Sequence, residues 1–177
     1  VRSRRQRQMC IRDRGKDQSD KFANSVFNLL ILGLFILVLL IEIFMPIFVF
    51  LIAPGFEGDS QKIELVINLT RITFPFLFFI SLASFFSAIL NSHNRFAVAS
   101  AAPIILNIML IGVLFYGNFL NDKIVYYLSY AVTFSGIFQL IFLFIFVKKF
   151  YLPKISFKIK KNEKVKIFFK KLLPSIF

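Results

Sequence analysis

One cysteine, one histidine and no tryptophan occur among the 177 residues, and nine acidic side chains stand against 22 basic ones. The lone Cys10 excludes a disulfide framework and a cysteine-rich metal site, and the lone His93 excludes a clustered-histidine centre. Glycine is sparse: Gly15, Gly33, Gly55, Gly58, Gly112, Gly117 and Gly136 stand singly, so no backbone loop can cradle a nucleotide phosphate. The acids are too scattered to group around magnesium, and no nucleophile, base and carboxylate can be gathered on one side of a membrane. No catalytic residue, no metal ligand and no cofactor is expected, and the chain does not read as an enzyme.

What the chain has in quantity is apolar surface. Hydrophobic residues make up 58%, phenylalanine alone occurs 26 times, and the mean hydropathy is +0.75, far above the range of soluble domains. The formal charge of +13 does not mark a nucleic-acid binder, because it is concentrated at the ends. Residues 1–21 hold eight basic side chains and residues 148–177 hold ten, whereas residues 22–147 carry four bases and five acids. Basic flanks around a neutral apolar body indicate orientation in a bilayer.

A helix needs about 20 apolar residues to cross the hydrocarbon core. Residues 25–52, 63–90, 100–120 and 124–147 qualify, giving an expected all-α membrane protein with a four-helix region over 25–147. Residues 15–24 form its leader, 148–164 a basic segment, and 165–177 the start of a further helix. The loop after the first span carries three acids against Lys62, the turn at 91–96 carries Arg95 and no acid, the leader before the first span is basic, and ten lysines follow the fourth. By the positive-inside rule both ends are cytoplasmic. Residues 1–14, arginine-rich and without a starting methionine, read as non-native sequence, like translated adapter. The last apolar stretch stops short, so the chain reads as a fragment.

Polar residues inside the spans are the candidate functional groups. Glu42 lies roughly 16 Å inside its helix, measured from Ala53, with no basic residue read at matching depth; it is either a proton or cation site or a hydrogen-bonded packing residue. Arg71 is read as an interfacial anchor or an anion ligand. Asn107 and Gln139 need partners, and interhelical hydrogen bonds are expected. Pro46 should kink the first span. The small pairs Ala83 with Ser87 and Ser84 with Ala88 predict close helix approach, or a polar stripe along a substrate path. Ser100 is expected to cap the third span, with Pro103 in its first turn. His93 sits in a wet turn, as an interfacial histidine or a proton relay.

Several of these residues recur in a known order. Ala53-Pro54-Gly55-Phe56, Thr73-Phe74-Pro75, Asn91, Asn94-Arg95-Phe96, and Pro103 with Asn107 resemble the MurJ (MviN) family of lipid II flippases, within the multidrug/oligosaccharidyl-lipid/polysaccharide exporter superfamily. The resemblance implies a two-lobe transporter of about fourteen helices that moves an undecaprenyl-pyrophosphate-linked peptidoglycan precursor across the bacterial inner membrane by alternating access. The spans here would be the third to sixth helices of its N-terminal lobe. The family's substrate-binding arginines lie outside this chain, so substrate-binding residues stay unknown. The implied partners are the lipid-linked precursor and membrane lipids, not nucleic acid. A related polysaccharide-unit flippase, a drug exporter, or a non-transporting scaffold with a lipid-binding basic tail are the alternatives.

Overall fold

The computed structural model describes residues 4–52, 60–117 and 123–155, and all regular structure among them is helical. In chain order the elements are α1 (Arg4–Ile43), α2 (Met45–Ile52), α3 (Ser60–Thr73), α4 (Phe76–Ser92), α5 (Phe96–Phe115) and α6 (Ile124–Val147). Four stretches are long and apolar enough to cross a membrane: Gln18–Ile43, Ser60–Ser92, Phe96–Phe115 and Ile124–Val147. The protein is an all-α, multi-pass membrane protein. The second stretch has 33 residues, about 50 Å of helix against a hydrocarbon core of about 30 Å, so it must tilt or bend. It bends at Phe74 and Pro75, where α3 gives way to α4.

The chain divides into two compact units, Val1–Leu32 with Tyr151–Phe177, and Gly33–Phe150. In the second unit α6 packs against α3, α4 and α5, α4 also meets α5, and α2 meets α3. The buried positions of α6, among them Ser135, Gly136, Gln139, Leu143 and Val147, repeat at three to four residues and so share one face. Against it α4 sets Leu82, Ala83, Phe86 and Leu90. Gly136 permits the closest approach: a Cβ there would lie 2.7 Å from Phe76 Cδ2 and 3.1 Å from Phe79 Cβ. One small pair on α4 is inward, with Ala83 buried and Ser87 half-buried, whereas Ser84 and Ala88 are exposed. Ser84 instead donates to the Ile80 carbonyl of its own helix at 2.9 Å.

The turn between α4 and α5 is shorter than the polar composition of residues 91–96 predicts. The backbone N–H groups of His93 and Arg95 both donate to the Leu90 carbonyl, at 3.0 and 2.9 Å, and Asn94 takes φ 59°. Asparagine tolerates this left-handed conformation better than most residues, so the chain reverses without glycine. With the turn closed at Arg95, α5 begins at Phe96 and Ser100 caps nothing. Pro103 therefore stands inside α5, not in its first turn, and the donor it lacks is the one that would reach Ala99.

In the first unit, Asn24 and Asn28 lie one turn apart on α1. Asn24 Oδ1 accepts from the Tyr151 hydroxyl at 2.6 Å and from the Lys154 backbone N–H at 2.9 Å, while Asn28 Nδ2 donates to the Lys154 carbonyl at 3.1 Å. Burial, reinforced by the charge of Asp20, pushes the Tyr151 phenol above its ordinary range. The neutral form is favoured by folding, so its contribution is complete below the ordinary phenol pKa and is lost as pH rises through the folded value.

Candidate functional site

Two prolines define the site. Pro46 follows Glu42 by four residues and Pro75 follows Arg71 by four, so in each helix the carbonyl of the ionisable residue faces a position with no N–H to give. The helices break there. At Phe44 the helix gives way to a turn, although Phe44 N–H still reaches the Leu40 carbonyl and Phe48 N–H the Phe44 carbonyl, both at 3.0 Å. At the second break, Leu77 N–H reaches the Phe74 carbonyl at 3.0 Å and Phe78 N–H the Pro75 carbonyl at 3.1 Å, a tightened three-residue turn.

Threonines serve the backbone around the second break, as a bilayer requires. Thr73 Oγ1 donates to the Leu69 and Thr70 carbonyls at 3.0 and 3.1 Å, and Thr133 Oγ1 reaches across from α6 to the Ile72 carbonyl at 2.5 Å. The two breaks also meet through aromatic rings, Phe48 and Phe74, which stand edge to face with centroids 5.6 Å apart.

Between the breaks, Arg71 Nε lies 3.7 Å from Glu42 Oε2. This corrects the reading that Glu42 has no basic residue at its depth: α1 and α3 approach from opposite chain directions, and their breaks bring the two residues level. The separation is too long for a hydrogen bond, so the pairing is Coulombic. The Arg71 side chain is 49% exposed and that of Glu42 23%, yet Glu42 Oε1 is buried and has no hydrogen-bond partner among the described residues. The arrangement holds an open acceptor beside a guanidinium with unused donors, which suits water or a polar ligand. Among the described residues no group of three or more His, Cys, Asp or Glu comes together to hold a metal ion.

The other candidates are dispersed. Thr73, Phe74 and Pro75 form the second break itself. Asn91, Asn94, Arg95 and Phe96 belong to the α4–α5 turn, at the opposite end of α4, where the His93 ring stacks on Phe150 at 4.6 Å and the Arg95 guanidinium sits 5.9 Å from the same ring. Asn107 is exposed on α5, and the expected interhelical bond is not seen among the described residues. Gln139 is buried on α6, but its Nε2 has no partner among the described residues, against the same expectation. Ala53, Pro54, Gly55 and Phe56 lie outside the described residues. The i to i+4 relation between each ionisable residue and a proline was visible in the sequence and is the signal that pairs Glu42 with Arg71.

Comparison with known proteins assigns this architecture. The family model described as lipid II flippase MurJ matches residues 8–177. A probable lipid II flippase MurJ of Rickettsia prowazekii (strain Madrid E) is 41% identical over 135 residues, covering 76% of this chain and 26% of that protein. The corresponding protein of Rhizobium tropici is 36% identical over 138 residues, covering 76% of this chain and 26% of its own length. That of Buchnera aphidicola subsp. Schizaphis graminum (strain Sg) is 37% identical over 146 residues, covering 81% and 28%. The chain thus spans about a quarter of the length of these curated relatives. Matched by the family model over nearly all of its residues, it belongs to the MurJ family of lipid II flippases.

Proposed function

We propose that the chain acts as part of the membrane lobe of a lipid II flippase, a transporter and not an enzyme, which carries lipid-linked peptidoglycan precursor across the bacterial inner membrane by alternating access. The family match over residues 8–177 is the observation that carries this reading. The relatives' names favour lipid II over a polysaccharide unit, a drug or a scaffold role. Alternating access needs two lobes rocking about a central site, and a pyrophosphate head group needs several cations in a cavity shielded from lipid. Between residues 22 and 147 only Lys62, Arg71, Arg95 and Lys123 are basic, so the substrate site belongs to the rest of the transporter.

The positive-inside rule supports cytoplasmic ends, with residues 57–61 outside and residues 92–94 and 158–166 inside. Within this layout residues 15–24 are the leader and 148–164 the basic cytoplasmic segment.

Reconstitution tests the functional reading. In vesicles, the full-length parent containing this chain translocates lipid II, whereas the 177-residue chain alone does not. Translocation by the chain alone, or its absence from the parent, overturns the proposal. Single cysteines replacing Ser60 or Ser92, with Cys10 removed, test the layout: an impermeant thiol reagent on intact cells labels the first and spares the second.

A further inference from the structure

The face of α3 that brings Arg71 to Glu42 carries more polar groups than an ion pair requires. Gln61, Glu64, Asn68 and Arg71 are spaced three, four and three residues apart, which sets them in one stripe along the helix. Of the other positions, Leu65, Val66, Ile67 and Leu69 are apolar, while Lys62, Thr70 and Thr73 are polar and lie on the side of Val66. From Gln61 to Arg71 the stripe is about 15 Å long, starting in the first turn of α3 and ending at the kink. Gln61, Glu64 and Arg71 are exposed and Asn68 is half-buried.

At its inner end one side-chain oxygen has no hydrogen bond among the described residues, and two carbonyls lose the helical N–H that a proline cannot give. Glu42 Oε1 is buried and unbonded among the described residues, and Arg71 stands 3.7 Å from Oε2, too far to donate. The carbonyls of Glu42 and Arg71 each face a proline. Arginine brings five N–H donors to this place. Unmet polar groups are costly in hydrocarbon, so irregular backbone survives there only where it is buried in protein or lines water, and with Arg71 exposed the second fits.

We infer that the polar stripe of α3 is the wall of a water-filled crevice that enters the membrane at the start of α3 and ends at the Glu42–Arg71 junction, with water as its ligand. Water bridges the pair, takes the Glu42 Oε1 position and serves the two carbonyls that the prolines leave open. The crevice hydrates the hinge points of the first two spans, so their bending does not expose bare backbone to lipid. The inference rests on the membrane-spanning fold and not on which substrate the transporter carries.

The test compares two faces of α3 at one depth. Single cysteines replace Asn68, on the stripe, and Val66, on the opposite face, in a chain carrying Cys10→Ser and reconstituted in bilayer nanodiscs; Phe138→Cys on the apolar exposed face of α6 is the lipid control. A small cationic thiol reagent should modify the cysteine at 68 about tenfold faster than those at 66 and 138, because only the first meets water. Equal rates at 66 and 68 overturn the crevice: both slow means a dry site, both fast means that α3 lies in the interface. Amide hydrogen exchange on the chain with its stripe intact gives a second reading. Residues 74–78 should exchange faster than residues 134–142 of α6, and equal protection would count against hydration of the junction.

Discussion

Where α4 meets α6, Ala83 and Gly136 let the helices close on rings and methyl groups, with Phe86 and Phe144 at 5.9 Å and Leu143 and Val147 fully buried. Where the end of α1 and α2 meet α3, the contacts are an ion pair at 3.7 Å, two broken helices and one pair of rings. Lipid tails are as apolar as leucine, so neither junction gains from a hydrophobic effect of the kind that drives soluble cores. The first is held by close packing, which is rigid and intolerant of added volume. The second is held by electrostatics between irregular segments, which tolerates movement but demands solvation. A transporter needs both kinds, a fixed seam and a joint.

The largest expected effect comes from adding volume to the seam. Gly136→Leu drives its side chain into Phe76 and Phe79, already 2.7 and 3.1 Å from a bare Cβ, and should destabilise the bundle by about 3 kcal/mol. Unfolding in denaturing detergent measures this; an unchanged midpoint would show that the seam yields as readily as the joint. Next, Ala83→Leu on the buried face of α4 should cost about 2 kcal/mol. Its exposed neighbour is the control: Ser84→Leu gives up only a hydrogen bond to its own helix and should stay within about 0.5 kcal/mol of the parent. Equal effects at the two positions would mean that both faces of α4 are packed.

The seam was more legible in the sequence than the joint. Long apolar runs declare four spans whatever their neighbours, and small residues at four-residue spacing mark a face that can be approached closely. They do not say which small pair turns inward, and only Ala83 with Ser87 does. The joint depended on two helices breaking at the same level, a tertiary coincidence that no single span records. Two local signals for it were present: each ionisable residue stands four positions before a proline, and Gln61, Glu64, Asn68 and Arg71 keep a helical period. The start of α5 was misplaced because a left-handed Asn94 closes the turn early, and a capping serine at 100 was then a coincidence of composition.

A double-mutant cycle sharpens the account of the joint. Glu42→Gln and Arg71→Gln should each destabilise modestly, and the pair should couple by about 1 kcal/mol, since the partners are partly exposed and not hydrogen-bonded. Raising ionic strength should reduce the coupling, because a crevice that admits water and a small cationic reagent also admits salt. A coupling of zero would reduce the pair to two independent side chains and leave the joint to the prolines and the Phe48–Phe74 contact.

The smallest effect is expected at the one amide buried in the seam among the described residues. Gln139 is 1% exposed on the α6 face that meets α4, and its Nε2 has no hydrogen-bond partner among the described residues. A buried amide that is not fully bonded gives back less than its desolvation cost, so an apolar residue of similar length can replace it without loss. Gln139→Leu should therefore leave stability within about 0.5 kcal/mol of the parent or raise it slightly, the reverse of Gly136→Leu one turn away. The two substitutions introduce the same side chain into the same interface and differ only in whether space already exists for it. If Gln139→Leu instead cost about 2 kcal/mol or more, the amide would be bonded within the membrane, to water or to another helix of the transporter, and the seam would not be the dry contact described above.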